Sequence, residues 1–149
     1  MHKIRRKVVD HCLDNDIGTI IIGMNKGFKE GIKLHKKNKQ AFVGIPYALF
    51  VKYLKYKAEA YGILLIITDG SYTSKAGFAD RDIMPVYDKK ENTDVFSGRR
   101  TSRGSYRTND GMIINAECNA SGNIIRKVVP DAFAGRGIEA LWCQALLEL

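Results

Sequence analysis

Two hydrophobic periodicities alternate along the chain and predict an α/β protein. In four segments apolar residues recur every three or four positions, as they do on one face of a helix. Two short runs of consecutive, largely β-branched apolar residues instead predict buried strands. The predicted helices cover residues 2–15, 46–61, 115–128 and 138–149, and the predicted strands cover residues 19–22 and 63–67. A strand, a helix and a parallel strand in this order form a right-handed βαβ unit.

The carboxyl ends of the two predicted strands are the first place to look for a ligand. In open parallel sheets the ligand site lies in the crevice beyond these ends. Here they carry the sequences Gly23-Met24-Asn25 and Asp69-Gly70-Ser71. Asp69 is therefore an acidic residue at a position where chemistry is expected.

A second acidic residue, Glu117, stands near the start of the third predicted helix. At about 100° per residue it projects beside Ile124 and Val128, whereas Asn119 and Gly122 fall on the opposite face. A carboxylate on the core-facing side of a helix is costly unless a metal, a donor or water meets it. Glu117 can thus face a metal site at the sheet edge. Alternatively, it complements the helix dipole and simply faces water.

Residues 72–111 show no clear period and are predicted to form one long loop, whose second half is basic. Its arginines Arg99, Arg100, Arg103 and Arg107 suit contacts to phosphate. A second basic segment, residues 25–40, contains Lys26-Gly27-Phe28-Lys29, in which an aromatic ring lies between cations. Such a surface can stack a base and contact a phosphate. A solvated linker with one buried phenylalanine explains it equally well.

Composition and charge indicate a polyanionic partner and give no sign of a membrane-spanning or secreted protein. The 149 residues suit one domain, and the net charge is +8. The first 40 residues hold ten Lys or Arg against four acids, and residues 95–109 hold four Arg and no acid. Nucleic acid is the first partner that such patches suggest, although solvated lysine faces are common. No apolar run approaches the length of a membrane span or a signal region, so neither is expected.

The three cysteines, Cys12, Cys118 and Cys143, lie far apart in the sequence and form no CxxC or Cys/His pattern. Neither a disulfide framework nor a zinc site is therefore expected. A reducing, cytoplasmic setting fits this cysteine usage best.

Five stretches resemble the C-terminal portion of the insertion-sequence TnpB (OrfB-type) proteins, which are transposon-encoded relatives of the CRISPR effector nucleases. They are Gly23–Lys29, Phe42 with Ile45-Pro46, Tyr56–Glu59, Ser71–Lys75, and Ile114–Ala120 leading to Asn123-Ile124. They occur in family order between about residues 2 and 133. The Tyr-Thr-Ser-Lys and Asn-Ala-x-x-Asn-Ala elements are the specific part of the match, whereas the basic loops alone are not.

The resemblance implies a RuvC-like, RNase H-type fold and an RNA-guided DNA endonuclease. In that family three acids hold two magnesium ions, since Mg²⁺ prefers oxygen ligands and two ions stabilise both reacting oxygens. This chain departs from the pattern at each acid. The last is lengthened from Asp to Glu117. The middle acid is replaced by Gly23, or by Gly70 when the chain is compared with a closer subgroup. The first lies on an N-terminal β-hairpin that the chain does not contain.

The resemblance also assigns candidate site residues. Glu117 is the altered catalytic and metal ligand, Asp69 is the substitute for the missing middle acid in both roles, and Ser74 and Lys75 are nucleic-acid contacts. The zinc-ribbon cysteines that the family carries around Ala76 and within residues 81–111 are absent, so no zinc is expected.

The predicted architecture is a truncated RNase H-like (RuvC-like) fold with a short parallel sheet flanked by helices. Residues 1–133 form the partial nuclease domain, and residues 134–149 form a helical tail. Three functions remain open. The first is a fragment that binds DNA, and guide RNA with it, without cleaving. The second is a Mg²⁺-dependent endonuclease completed by an N-terminal partner chain. The third is a homo-oligomeric regulatory or structural module.

Overall fold

The computed structural model describes residues 2–25, 46–85 and 96–134, which form helices and short strands. In chain order the elements are α1 (His2–Asp14), β1 (Thr19–Met24), α2 (Tyr47–Glu59), β2 (Leu64–Asp69), β3 (Arg99–Arg100), β4 (Ser105–Arg107), β5 (Ile113–Asn115) and α3 (Ala116–Val128). Lys26, Lys29 and the predicted tail beyond residue 134 lie outside the described residues. The chain divides into two compact units, Met1–Ile67 and Thr68–Leu149.

The first unit contains a short parallel sheet with two helices, as the apolar pattern predicts. β1 and β2 are hydrogen-bonded neighbours and run parallel. The amide of Leu64 donates to the carbonyl of Gly18 at 2.9 Å. The core consists of Val9 and Cys12 from α1, Val51, Leu54 and Ala58 from α2, and Ile63 and Leu65 beside them. The α/β class and the extents of these elements are confirmed to within a few residues.

Gly62 explains why α2 stops where it does. Its φ of 73° lies in the left-handed region that residues with a Cβ enter only at a cost. This turn lets the amide of Ile63 donate back to the carbonyl of Ala58 at 2.9 Å, and the chain then enters β2. The glycine therefore both ends the helix and directs the next strand.

The second unit contains a three-stranded antiparallel sheet that the sequence pattern did not predict. β4 pairs with β3 on one side and with β5 on the other. Two of these strands lie within residues 72–111, which were predicted to form one loop, so that prediction is wrong for residues 99–100 and 105–107. The strands are two and three residues long, too short for an alternation of apolar and polar positions to be recognised.

The core of the second unit is small and partly aromatic. It contains Phe78, Tyr106, Ile114 and Ala116, and the ring of Phe133 meets Phe78 edge-on at 5.2 Å between centroids. None of the helices in the described parts of the chain is long and apolar enough to cross a membrane.

Candidate nucleic-acid interface

Helix α3 organises the second unit, and its start is fixed by Asn115. The side-chain oxygen of Asn115 accepts hydrogen bonds from the amides of Glu117 at 2.8 Å and Cys118 at 3.1 Å. These amides have no partner within the helix, so the asparagine satisfies both as an N-cap. The first Asn of the Asn-Ala-x-x-Asn-Ala element is therefore a capping residue.

The face of α3 that is buried is the opposite of the one predicted. Ala116, Asn119, Gly122 and Asn123 are buried, whereas the Ile124 side of the helix is only half-buried. The prediction equated apolar side chains with the core and amides with solvent. It is wrong here because both asparagine amides find backbone partners, which removes the cost of burying them.

The two buried amides hold the loop that follows β2. Asn119 accepts a hydrogen bond from the amide of Phe78 at 2.9 Å and donates one to the carbonyl of Ala76 at 2.8 Å. Asn123 donates to the carbonyls of Thr73 at 3.0 Å and Ala76 at 2.7 Å. Because the loop backbone is bound at several points, its outward-facing side chains are presented from a fixed frame.

Ser74 and Lys75 are those outward-facing side chains. Both are exposed, between the buried Thr73 and Ala76. The hydroxyl of Tyr106 donates to the carbonyl of Lys75 at 2.9 Å, which anchors the loop from the sheet side as well. Burial, reinforced by the charge of Asp82, raises the pKa of Tyr106 to about 12, so this hydroxyl stays protonated and able to donate.

Asp82 connects the loop after β2 to the residues that precede β3. The sequence analysis did not identify it as a candidate site residue. Its buried carboxylate accepts hydrogen bonds from the amide of Gly77 at 2.7 Å and the amide of Ser97 at 3.0 Å, and also from the Ser97 hydroxyl. The bonds to Ser97 span fifteen residues of sequence. No local pattern announces such a contact, because an isolated Asp in a polar segment resembles any solvated residue.

Glu117 lies on the surface, so the prediction that its side chain points inward is wrong. Its side chain is 75% exposed and its Oε1 lies 2.8 Å from a terminal nitrogen of Arg100. The first turn of a helix favours an acid, and Arg100 supplies a counter-charge at the same place. Both effects are satisfied in contact with water, as the alternative interpretation of this residue expects.

Asp69 is held at the other end of α3. Its carboxylate accepts hydrogen bonds from the Ser71 hydroxyl at 2.6 Å and the Ser71 amide at 3.1 Å, and it lies 3.0 Å from Nζ of Lys127. Partial burial acts to raise the pKa of Asp69, but these hydrogen bonds and the Lys127 charge outweigh it, and the pKa is lowered. Lys127 also donates to the Ser71 carbonyl at 2.7 Å.

The two acids are thus anchored at opposite ends of one helix. Glu117 lies in the first turn of α3, and the lysine that holds Asp69 lies in the last. Ten residues of helix rise about 15 Å, whereas the metals of a two-metal site are about 3.5–4 Å apart. Within the described ranges no three Asp, Glu, His or Cys side chains are grouped so as to hold a metal. These residues do not fit the two-magnesium site that the resemblance implies.

The arginines of the basic segment differ in their contacts. Arg99, Arg103 and Arg107 have exposed side chains on or beside the three-stranded sheet. Arg100 instead binds three oxygens: the Glu117 carboxylate and the carbonyls of Ser102 and Arg103. The structure therefore brings Arg100 and Glu117 together, and it leaves the other three arginines facing solvent.

A known family model matches the part of the chain that contains this region. The family model described as "Cas12f1-like, TNB domain" matches residues 47–124, just over half of the chain. Among curated proteins no match is found. The matched range contains the loop after β2, the three-stranded sheet and most of α3. The chain therefore belongs to the TnpB/Cas12f-type family, through a Cas12f1-like TNB domain.

Proposed function

We propose that this chain is a TnpB-like protein that binds DNA, and guide RNA with it, but does not cleave DNA by itself. Its fold in this proposal is a RuvC-like, RNase H-type domain in a cytoplasmic protein. One observation carries the proposal: the two candidate acids are each paired with a cation at opposite ends of α3, whereas Arg99, Arg103 and Arg107 face solvent. The two carboxylates are engaged in ion pairs, whereas the three guanidinium groups face solvent. This arrangement favours binding of nucleic acid over metal-dependent hydrolysis.

The anchored loop supports the binding half of this proposal. Ser74 and Lys75 project from a backbone that is held by Asn119, Asn123 and Tyr106. A donor held in a fixed frame loses less conformational entropy on contacting a phosphate than one on a flexible chain. Hydroxyl and ammonium groups are common donors to phosphate oxygens.

The ion pairs of the two acids support the second part of the proposal, that the chain does not cleave DNA by itself. Mg²⁺ needs oxygen ligands from carboxylates that converge on one point. Glu117 would have to leave Arg100, and Asp69 would have to leave Lys127 and Ser71. Both carboxylates are thus engaged by other partners, which supports nucleic-acid binding without hydrolysis.

A titration followed by a cleavage assay tests this function. Fluorescence anisotropy with labelled single-stranded DNA, duplex DNA and RNA at two salt concentrations should show binding that weakens steeply with salt, since counterions are released. Incubation of the same DNAs with Mg²⁺ should leave them intact. Cleavage that a Glu117→Ala change abolishes would refute the proposal. Absence of salt-sensitive binding together with a defined oligomer would instead favour the structural-module function.

A second candidate function, cleavage completed by another chain, is favoured by the sheet of the first unit. Within the described residues β1 and β2 pair only with each other, and Leu64 and Ile67 are 56% and 51% exposed. Parallel strands are normally covered on both faces and extended by further strands. Co-expression with an N-terminal TnpB-type segment tests this candidate. Mg²⁺-dependent cutting that requires Glu117 would support it, and intact DNA would reject it.

A further inference from the structure

We infer that Arg99 and Arg107 together form one phosphate-binding site on the outer face of the three-stranded sheet, and that Arg100 between them in the sequence supports the structure instead. This inference rests on the proposed nucleic-acid binding and names the residues that carry it. Composition treats Arg99, Arg100 and Arg107 alike, whereas strand register separates Arg99 and Arg107 from Arg100.

The register of β3 and β4 places these arginines on opposite faces. Arg99 lies directly opposite Arg107, and Arg100 lies directly opposite Tyr106. Successive side chains of a strand point to opposite faces. Tyr106 is completely buried, so its face is the inner one. Arg99 and Arg107 therefore share the outer face, in agreement with their exposure.

Two arginines directly opposite each other are an unfavourable pair when no anion is present. Cβ atoms of such a pair are about 4.5–5.5 Å apart, and like charges at this distance destabilise a sheet. Among the described residues no acidic side chain pairs with Arg99 or Arg107. A phosphodiester group between the two guanidinium groups would remove the repulsion and accept hydrogen bonds from both.

The rest of the outer face also fits a sugar–phosphate backbone. Ile113 on β5 lies opposite Arg107 and is 50% exposed, so an apolar side chain continues the row that the arginines begin. Phosphate oxygens match the guanidinium groups, and the less polar sugar can lie over the isoleucine. Because these contacts do not read bases, the site should bind DNA and RNA strands of any sequence.

Arg100 has a different set of contacts. Its guanidinium bonds to carbonyls in the β3–β4 turn and to Glu117 in the first turn of α3, and its side chain is 37% exposed. These bonds tie the turn to the helix. A phosphate could reach this guanidinium only in competition with the carboxylate that already occupies it.

Salt titrations of matched variants test the assignment. The Arg99→Ala/Arg107→Ala double variant should reduce the steepness of log K against log salt concentration by about 1, because the one phosphate that both arginines share adds about 1 to the slope. Lys52→Ala/Lys55→Ala removes the same charge from exposed positions on α2 and should leave the slope within about half a unit of the parent. Arg100→Ala should also leave it there. Circular dichroism checks that each variant is folded.

The possible outcomes separate this inference from the function on which it rests. If the parent chain shows no salt-dependent binding to DNA or RNA, the proposed function fails. If the parent binds but the Arg99/Arg107 variant keeps its slope, only the site assignment fails. A decrease in slope in the Lys52/Lys55 variant equal to that in the Arg99/Arg107 variant would reduce the site to general charge attraction. A slope reduced by about 1 in a folded Arg100→Ala variant would overturn the structural role of Arg100.

Discussion

Individual side chains of α3 show why a helix with asparagines on its buried face is stable. Asn119 and Asn123 are completely buried, yet each amide has backbone partners in the loop after β2. Arg126 donates to the side-chain oxygen of Asn123 at 3.0 Å, so both the nitrogen and the oxygen of this amide have partners. The Asn-Ala-x-x-Asn-Ala element also contains the candidate ligand Glu117, but its two asparagines, Asn115 and Asn119, make structural contacts.

Gly122 provides a prediction in which the usual effect of a substitution is reversed. Replacing an exposed helical glycine with alanine normally stabilises a protein by about 0.5–1 kcal/mol. At Gly122 the new Cβ would lie 2.5 Å from the ring of Phe78, which is buried. We expect Gly122→Ala to lower the free energy of unfolding by about 1–3 kcal/mol, as overpacking does. Urea denaturation followed by circular dichroism measures this change.

The neighbouring Ser121 supplies the control for this experiment. It lies on the exposed face of the same helix turn, so Ser121→Ala should change the free energy of unfolding by no more than about 0.5 kcal/mol. If Gly122→Ala proves as stable as the parent, the close approach of α3 to Phe78 is wrong.

At the scale of whole elements, the three helices among the described residues and the two parallel strands were predictable from the sequence, and the antiparallel sheet was not. α2 has a broad apolar surface over thirteen residues, and Gly62 marks its end, so both its type and its limit are evident locally. β3 has two residues, and its pairing depends on contacts with β4 across a turn. Strands this short cannot be recognised from local pattern, because their pairing partners determine them.

The difference between local pattern and distant contacts also explains why the candidate site residues could be identified but their orientation could not. The polar and charged positions at 69, 74, 75 and 117 could be identified from motifs in the sequence. Their orientation depends on partners far along the chain. Glu117 meets Arg100 seventeen residues away, and Asp69 meets Lys127 fifty-eight residues away. A helical wheel cannot anticipate such pairs, so it placed Glu117 on the core-facing side.

The loop between β2 and β3 leads to a prediction about metals. Where the resemblance leads one to expect zinc-ribbon cysteines, the carboxylate of Asp82 accepts hydrogen bonds from Gly77 and Ser97. Structural zinc contributes folding free energy directly, and chelators unfold proteins that depend on it. We expect excess EDTA to leave the thermal unfolding midpoint of this chain unchanged, as measured by circular dichroism.

A substitution at Asp82 tests whether its hydrogen bonds, and not a metal, stabilise the loop. Asp82→Asn puts an amide nitrogen where an oxygen now accepts hydrogen bonds, and it should lower the free energy of unfolding by about 1–3 kcal/mol. Asp110→Asn is the matched control, because that residue is exposed in the turn between β4 and β5. A midpoint that falls by several degrees in EDTA would mean that a metal, and not the Asp82 network, closes the loop.

At the scale of the whole molecule, the residues that the structure describes form two hydrophobic cores with no residue in common. One is built from α1, α2 and the residues around β2, and the other from Phe78, Tyr106, Ile114 and Ala116. The division falls at Ile67–Thr68, within β2. The two candidate acids and the four arginines of the basic segment all belong to the second unit. Binding through the arginine face should therefore depend on the integrity of that unit.

Two mild core substitutions can show whether each unit opens by itself. Ile63→Val lies in the first core and Ile114→Val in the second, and each should cost about 0.5–1.5 kcal/mol. Amide hydrogen exchange measured by mass spectrometry reports local opening. We expect Ile63→Val to accelerate exchange in α1 and α2 roughly two- to tenfold and to leave α3 unchanged, with the reverse pattern for Ile114→Val. Faster exchange in α3 after the Ile63 change would show that the two units unfold as one, because a cost confined to one core cannot otherwise reach the other.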